Sequence, residues 1–328
     1  MNDSEDDYDK VSICKIVSGG ISLGLRLKVI LNPSSGRETA RTNIEDVLAL
    51  LSMRGEIDRA DIYYTHARFD AKRFAEETDT SDYDCIVAAG GDGTVNEVVT
   101  GLMCAGIDIP VAIYTSGTVN DFARINDLPQ TPAEFAKMLL DFNTRRVDCG
   151  RVEDMYFLNV LAGGVFTDVG YSVPSDLKTA FGPAAYWLSA MKDIQEMNET
   201  IPLEIKKEDG DITADALMFF VSNTKSVGGF RNLMSQADVT DGLLDVMIIR
   251  KVDYAEIMPL LGKLMIGEHI NSDKVIYFQS KGFRMEAPGA DKPVTLDLDG
   301  EEGPDLPIEI ECMHSAINLV VPKEENEL

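Results

Sequence analysis

The first half of the sequence alternates between short apolar runs and segments in which apolar residues recur with a helical period. The apolar runs are KVIL (28–31), ADIYYT (60–65), DCIVAAGG (84–91) and IPVAIYT (109–115). Helical patterns fill the gaps, through Ile44, Val47, Leu48 and Leu51 up to Gly55, then over 67–77 and 95–104, and after a capping box at 131–134. Continuous apolar strands are buried on both faces, as in a parallel sheet between two layers of helices. The sequence therefore predicts an α/β domain built on a parallel sheet.

The pattern changes after Asp148-Cys149-Gly150, where short strand-like segments dominate. They are YFLNVLA, PLEIKKE, ALMFFVSN, GLLDVMIIR, KVIYFQS, GFRMEA, VTLDLDG, PIEIECM and AINLVVP, with helical patches at 183–197 and 254–265. Runs of strands with few helices predict a β-rich sandwich. The predicted organisation is a poorly ordered acidic extension over 1–24, the α/β domain over 25–150, the β-rich domain over 151–322 and a tail over 323–328. The last strand, 315–322, is a candidate to return to the first domain.

The composition narrows the classes of function. The chain has 56 Asp and Glu residues against 30 Lys and Arg, a net charge of −26 that disfavours nucleic-acid binding and attraction of the whole protein to anionic lipid. Its five cysteines are scattered without a C-x-x-C pair and its three histidines lie far apart, which argues against disulfides, zinc sites and Ser-His-Asp catalysis. No apolar stretch approaches the ~18 residues of a membrane span, and the acidic N-terminus is unlike a secretory signal. We expect a cytoplasmic protein.

The segment from Ala88 to Glu97 carries the clearest chemistry. It lies where a buried strand turns into a helix, the position at which open α/β sheets bind ligands. Gly90, Gly91 and Gly93 allow an anion to approach the backbone, although a tight turn packed for its own sake can have the same glycines. Asp92 is harder to explain by packing, and it suits magnesium or water beside phosphates. The chain has neither G-x-x-x-x-G-K-[ST] nor G-x-G-x-x-G, which weakens the case for a dinucleotide oxidoreductase.

Two further polar turns follow predicted strands. Residues 32–36 come after the first strand, and residues 115–124 come after the strand at 109–115. Each turn alone is ordinary in composition. Because the carboxyl ends of parallel strands lie at one edge of the sheet, the three turns together predict a nucleotide site there.

The three turn sequences NPSSG, GGDGTVNEVVTGL and SGTVNDFAR, in this order, resemble the catalytic domain of the diacylglycerol, sphingosine and ceramide kinase superfamily. The resemblance continues through DCGRV, GPAAYW, ADVTDGLLDV and LDGEEG, covers residues 27–322, and is strongest to the soluble bacterial diacylglycerol kinase branch. GGDGT alone also occurs in NAD kinases and phosphofructokinases, whose fold the first domain is then expected to share. GGDGT followed by GTVNDFAR and a late DGE is far more specific.

The resemblance implies an ATP site, a magnesium site and a base. ATP is expected to contact Asn32, Pro33, Ser34, Ser35, Gly36, Thr65, Gly91, Asp92, Gly93, Thr94, Val95, Asn96, Glu97 and Thr118. Mg²⁺ is expected to be held by the Asp241 carboxylate, the backbone oxygens of Asp238 and Leu243, and Asp148 through water. Glu301 is the expected general base, and Asp92 is also expected to serve in catalysis. By composition alone, Asp241-Gly242 is equally a hairpin turn, and the acidic run 297–305 a solvated loop.

These inferences predict an ATP-dependent lipid kinase that converts diacylglycerol to phosphatidate at a membrane surface. The alternatives are a kinase for another lipid alcohol, such as a sphingoid base or phosphatidylglycerol, an NAD kinase, and a catalytically silent regulator that binds a nucleotide or a lipid. The sequence also leaves open whether the protein forms a homodimer. The apolar segment 181–188, with the only tryptophan, Trp187, is either a lipid-facing edge or a core helix. A basic rim for membrane docking is predicted from Lys178, Lys192, Arg231, Lys263 and Lys281.

Overall fold

A computed structural model describes residues 10–14, 24–35, 39–115, 120–164, 200–227, 230, 232–252, 254–265 and 267–323. The chain divides into two compact units. The first unit runs to Val147 and takes in the residues from Ala316 onward, and the second comprises Asp148–Ser315. The predicted helix at 183–197, the segment 181–188 with Trp187, and the predicted rim residues Lys178, Lys192 and Arg231 lie outside the described residues.

The first unit is an α/β layer structure. Its strands are β1 (Lys10–Cys14), β2 (Leu25–Leu31), β3 (Ile57–Tyr64), β4 (Cys85–Gly90) and β5 (Val111–Thr115). Its helices are α1 (Thr39–Met53), α2 (Asp70–Glu76), α3 (Asp92–Ala105), α4 (Asp121–Ile125) and α5 (Pro132–Asp141). The sheet order is β1-β3-β2-β4-β5, and β3, β2, β4 and β5 are parallel as predicted.

Local sequence signals end and begin these helices. α1 is followed by Gly55 at φ 73°, a left-handed conformation that glycine adopts without steric cost. At the start of α5, Thr131 Oγ1 accepts a hydrogen bond from the Glu134 amide (3.4 Å) and donates to Glu134 Oε2 (2.7 Å). Thr131 is thus the N-cap as predicted, but the Glu134 carboxylate bonds to the Thr131 hydroxyl rather than to its backbone amide as in a full capping box. The short helix α4 was not predicted; it begins inside the segment 115–124, which was interpreted as a turn.

The acidic extension is corrected by the structure, because Lys10–Cys14 form an edge strand that pairs antiparallel with β3. Asp61 on β3 is fully buried, and Lys10 Nζ lies 3.2 Å from its carboxylate. Burial alone would raise the pKa of Asp61, but hydrogen bonds from Arg59 and Tyr83 outweigh it and lower the pKa. The ion pair between Lys10 and Asp61 helps to hold residues 10–14 in the sheet. The sequence did not predict this strand, because the residues around it are acidic.

The second unit is built of antiparallel strands. They are β6 (Asn143–Val152), β7 (Met155–Phe157), β8 (Val160–Gly164), β9 (Ile201–Lys206), β10 (Ile212–Ser222), β11 (Leu244–Arg250), β12 (Val275–Ser280), β13 (Gly282–Glu286), β14 (Thr295–Leu298), β15 (Glu301–Asp305) and β16 (Ile308–Val321), with helix α6 (Tyr254–Met265). β10 is the central strand: it pairs with β11 along one edge and with β9 and then β8 along the other. Alternate residues of β10 supply two hydrophobic clusters, one containing Phe219 and the other Phe220.

Strands β6 and β16 each continue across the boundary between the units. β16 is one continuous strand, whereas the sequence predicts two separate strands there, PIEIECM and AINLVVP. Its first part pairs with β13, and near its end Leu319 pairs in parallel with Val111 of β5. In the part of the chain that the structure describes, no helix has the length and apolar character needed to cross a bilayer.

A buried histidine predicts a pH dependence of stability. His269 is 1% exposed, its Nε2 lies 2.8 Å from the Leu233 carbonyl, and burial lowers its pKa. Below the ordinary histidine pKa of about 6.5, the unfolded chain binds a proton that the folded chain does not. His269 should therefore lower the free energy of unfolding as the pH is lowered from 7.5 to 5.5. Urea unfolding of the wild type and His269→Gln at both pH values checks this, because the variant should lose less; an equal loss in both would contradict it.

Candidate functional site: a phosphate turn and an acidic loop

The order of the parallel strands creates a crevice at one edge of the first sheet. The chain passes from β2 to β3 on one side of β2 and then to β4 on the other. At such a reversal of strand order the loops diverge, and ligands bind at the carboxyl ends of the two strands. The predicted turns at 32–35 and 91–97 follow β2 and β4, and Thr65 follows β3, where its amide donates to the Leu31 carbonyl at 2.9 Å.

Asn32 connects two of the predicted turns. Its backbone amide donates to the Ala89 carbonyl at 2.9 Å, and its side-chain Nδ2 donates to Thr94 Oγ1 at 3.2 Å. Its Oδ1 accepts from the Ser34 amide (3.0 Å) and hydroxyl (2.8 Å), while Ser35 Oγ donates to the Asn32 carbonyl at 2.9 Å. Pro33 lies in the same turn. The structure thus brings Asn32, Ser34, Ser35 and Thr94 together; Gly36 and Thr118 lie outside the described residues.

The glycines of the phosphate turn have different reasons to be glycine. A Cβ at Gly90 would come within 2.5 Å of Thr94 Oγ1, so Gly90 is required by packing. A Cβ at Gly91 would meet nothing within 4 Å. Packing therefore does not require a glycine at position 91, and the open space lies at the N-terminus of α3. Backbone N–H groups in the first turn of a helix have no intrahelical acceptor and favour an anion, so this turn fits a phosphate.

Asp92 joins this turn to the next one. Its Oδ2 accepts a hydrogen bond from the Asn120 amide at 3.2 Å, at the start of α4. Asn120 has φ 50°, a left-handed conformation that asparagine tolerates better than most residues. A carboxylate cannot bind phosphate directly, but it can hold a cation that accompanies phosphate. Asn120 was not among the predicted site residues.

The side chains of three members of the predicted ATP set have other contacts in the structure. The Val95 side chain is 2% exposed, and its amide donates to the Gly91 carbonyl at 3.2 Å. The Glu97 carboxylate accepts hydrogen bonds from the Phe69 amide (2.9 Å) and the Ala71 amide (3.2 Å). Phe69, at φ 70°, is the N-cap of α2 and makes no side-chain cap of its own. Glu97 therefore caps α2, and Asn96 is bonded within its helix by Thr100 Oγ1 at 3.3 Å.

The predicted magnesium residues form a separate loop in the second unit, organised by Asp148. The Asp148 side chain is fully buried. One oxygen accepts from the Gly242 amide at 2.7 Å, and the other accepts from the Ser315 amide at 2.6 Å and lies 2.9 Å from His314 Nδ1. The Asp148 side chain thus holds the loop in place by bonding to the loop backbone at Gly242. A Cβ at Gly242, which has φ 76°, would come within 2.9 Å of His314 Nδ1.

This acidic loop, residues 238–243, concentrates negative charge. Asp238 Oδ1 accepts from the amide (2.9 Å) and hydroxyl (2.7 Å) of Thr240, and Asp241 Oδ1 accepts from the Leu243 amide at 2.9 Å. Burial raises the pKa of Asp241, and the charges of Asp238 and Asp148 add to the effect. A cation would relieve that repulsion, so the donor set fits a hard divalent ion. Across the described residues, no three His, Cys, Asp or Glu side chains are grouped to hold a metal, so such an ion would depend on one carboxylate, carbonyl oxygens and water.

Glu301 follows a tight hairpin turn. Asp299 and Gly300, at φ 53° and 93°, connect β14 to β15, and Leu298 pairs with Glu301 across the turn. Positive φ at both central residues is the mark of the hairpin turn that Asp-Gly favours. The interpretation of 297–305 as a solvated loop is corrected, since Glu301–Asp305 form β15. The Glu301 side chain is exposed. The pKa of Asp297 is raised, mainly by the burial of Asp297 and in addition by the negative charge of Glu301.

Comparison with known proteins bears on this geometry. Residues 26–152 match the sequence profile of the diacylglycerol kinase catalytic domain, and residues 161–321 match that of the YegS C-terminal NAD kinase beta sandwich-like domain. A diacylglycerol kinase of Bacillus subtilis (strain 168) is 35% identical over 303 residues, which cover 92% of this chain and 98% of that protein. The chain belongs to the diacylglycerol kinase family. The resemblance predicted from NPSSG, GGDGT, GTVNDFAR and DGE is thereby confirmed.

Other members of the diacylglycerol kinase family extend the comparison. A diacylglycerol kinase of Staphylococcus haemolyticus is 35% identical over 90% of this chain and 88% of that protein. The crystal structure of a diacylglycerol kinase from Bacillus anthracis str. Sterne superposes with a TM-score of 0.73 at 26% identity, covering 90% of this chain and 96% of that chain. The predicted fold class, an α/β domain followed by a β-rich sandwich domain, is confirmed. Family membership makes the chain a kinase.

Proposed function

We propose that the protein transfers the γ-phosphate of ATP to the free hydroxyl of diacylglycerol and so forms phosphatidate. The observation that carries the proposal is the phosphate turn at the start of α3, where open space at Gly91 adjoins the carboxylate of Asp92. The names of the relatives support diacylglycerol as the acceptor. Labelled ATP and mixed micelles containing diacylglycerol test the proposal, with a sphingoid base, phosphatidylglycerol and NAD as competing acceptors. Phosphorylation of NAD or of a competing lipid in preference to diacylglycerol would overturn it.

In the proposed reaction the acceptor oxygen forms a bond to the γ-phosphorus while the bond from that phosphorus to the β,γ-bridging oxygen breaks. ADP leaves with the bridging oxygen, and Glu301 takes the hydroxyl proton. Positioning and neutralisation of charge supply most of the rate enhancement in such transfers. The first turn of α3 and the polar side chains of Asn32, Ser34 and Ser35 would orient the triphosphate.

Magnesium, when bound, would neutralise charge beside the phosphates. In the second unit, the Asp241 carboxylate and the backbone oxygens of Asp238 and Leu243 would hold the ion, with Asp148 linked through water. Asp148 makes direct hydrogen bonds to the Gly242 and Ser315 amides, and these bonds keep the loop in shape. The proposed contribution of Asp148 is therefore to orient the ligands rather than to bind the metal directly.

The metal requirement supplies a prediction. Asp241→Asn should raise the Mg²⁺ concentration needed for half-maximal activity, because a neutral amide oxygen replaces an anionic ligand. A Mg²⁺ titration of initial rates at saturating ATP measures the effect. Asp211→Asn is the matched control, since Asp211 is an exposed aspartate of the same unit. An unchanged titration in Asp241→Asn, or an equal shift in both variants, would remove Asp241 from the metal site.

We further propose that the enzyme meets its lipid by transient binding to a membrane surface. Of the predicted basic rim, Lys263 and Lys281 are described, and both are exposed on the second unit. With a net charge of −26, docking requires such local cations to face the bilayer while the acidic surface faces water. Screening by salt should weaken this contact, because surface charges act over about 8 Å at physiological ionic strength.

A further inference from the structure

Asp299, the first residue of the DGE segment, makes contacts that the sequence does not suggest. Its two carboxylate oxygens accept hydrogen bonds from three successive backbone amides: Leu158 at 2.6 Å, Asn159 at 2.9 Å and Val160 at 2.9 Å. Its own amide donates to the Val160 carbonyl at 2.9 Å. Hydrogen bonds to an ionised carboxylate are roughly twice as strong as neutral ones. The hairpin that carries Glu301 is thus fastened to the turn between β7 and β8.

A second side chain, that of Asn223, holds the turn at residues 158–160 through its carbonyl groups. Asn223 is 1% exposed, and its Nδ2 donates both hydrogens, one to the Leu158 carbonyl at 3.0 Å and one to the Asp148 carbonyl at 2.9 Å. The Asn223 amide also donates to the Asn159 carbonyl at 2.9 Å. A buried amide with both donors used leaves little freedom to the groups it joins.

These bonds form one continuous network inside the second unit. The Asp148 carboxylate holds Gly242 in the acidic loop, and the Asp148 carbonyl is held by Asn223. Asn223 holds Leu158, whose amide is held by Asp299. Two residues after Asp299 comes Glu301, fixed by the tight turn and by its pairing with Leu298. The acidic loop and the Glu301 hairpin are therefore connected through the turn formed by residues 158–160.

We propose that Asp299 and Asn223 are positioning residues that hold the Glu301 carboxylate in register with the acidic loop. The inference rests on the proposed role of Glu301 as the base. Neither residue touches the reacting atoms; each acts through the backbone of residues 158–160. A misplacement of about 1 Å in a reacting group can cost 10²-fold in rate, so the network has a measurable effect on catalysis.

Asp299→Asn keeps the shape of the side chain and removes its charge and one of its two acceptor oxygens. We expect kcat to fall by about 10²-fold with the KM for ATP unchanged. Asp305→Asn is the matched control, because Asp305 is an exposed aspartate of the same hairpin that accepts a hydrogen bond from the Thr295 hydroxyl at 2.6 Å. Its kcat should equal that of the wild type. A purely structural role for Asp299 would instead lower the thermal midpoint and leave kcat per folded molecule intact.

A double-mutant cycle separates this inference from the proposed function. Glu301→Gln alone tests the base, and wild-type turnover in that variant would refute the base role. If Asp299 acts through Glu301, Asp299→Asn should cause no further loss of kcat in the Glu301→Gln background. Two losses that multiply would overturn the positioning role while leaving the base role standing.

Amide hydrogen exchange gives a readout that does not depend on activity. In Asp299→Asn the amides of Leu158, Asn159 and Val160 should exchange faster than in the wild type, because each loses a charged acceptor. Asn223→Asp, which cannot donate to the Leu158 and Asp148 carbonyls, should loosen the same amides and that of Gly242. Unchanged exchange at residues 158–160 in both folded variants would show that the network does not hold the turn, and would overturn the proposal.

Discussion

Replacing Glu301 with glutamine should lower kcat by roughly 10²–10⁴-fold, the usual contribution of a positioned general base. Glutamine preserves the length and shape of the side chain, but its amide cannot take the proton of the attacking hydroxyl. The affinity for ATP should persist, because Glu301 is proposed to take a proton and is not among the residues expected to contact ATP. Single-turnover transfer with labelled ATP measures the chemical step, and equilibrium binding of a non-hydrolysable ATP analogue measures affinity.

The neighbouring residue provides the control for Glu301→Gln. Glu302 is also exposed and lies next in β15, and successive side chains of a strand point to opposite faces. Glu302→Gln makes the same chemical change on the other face and should keep wild-type turnover. If ATP affinity collapses in Glu301→Gln, the residue belongs to the nucleotide site instead. An equal loss in both variants would point to the general charge of the hairpin.

Asp92→Ala should abolish measurable phosphoryl transfer, with a loss of at least about 10²–10³-fold in kcat, the scale on which one preorganised electrostatic group acts. The variant removes the carboxylate at the start of α3 and with it the contact to the Asn120 amide at 3.2 Å. The effect on folding should be modest, because a single acidic residue in the first turn of a helix contributes about 0.3–1 kcal/mol at the surface and up to about 2 kcal/mol where it is partly buried, as Asp92 is. Steady-state assays beside thermal unfolding separate the two effects.

The matched control for Asp92→Ala is Asp46→Ala. Asp46 is an exposed aspartate on α1 in the same unit. Its removal changes the net charge by the same amount and should leave transfer intact. Wild-type turnover in folded Asp92→Ala would exclude Asp92 from catalysis, whereas a thermal midpoint that falls together with activity would assign Asp92 to structure alone.

The first unit could be predicted from the sequence because its signals are local. Its parallel strands are continuous apolar runs, and polar turns follow them at short range, so the parallel sheet and the element types other than β1 and α4 could be inferred. The sequence does not show that β2 lies between β3 and β4, and that order is what makes the crevice at Asn32 and Gly91. Strand order depends on contacts between distant segments, which local patterns do not record.

The side-chain contacts that sequence reasoning missed share one property: their partners are far away along the chain. Glu97 caps α2 through amides 26 and 28 residues earlier, and Asp299 binds amides 139 to 141 residues earlier. Family resemblance placed Glu97 in the ATP set and left Asp299 without a role. A signal was available only for Asp299: an Asp-Gly pair between two strand patterns indicates a hairpin turn, though not its long-range contacts.

The return of β16 to the first unit determines when that unit can be completed during synthesis. Every residue of β5 is buried, and its pairing through Val111 involves Leu319, near the end of the chain. A nascent chain that has reached only residue 152 therefore presents β5 with an unpaired edge, which is a template for pairing with another molecule. The α/β half is therefore synthesised before the β-rich half but completed only after it. A fragment that ends at the boundary between the units lacks Leu319, so the edge of β5 stays unpaired in that fragment.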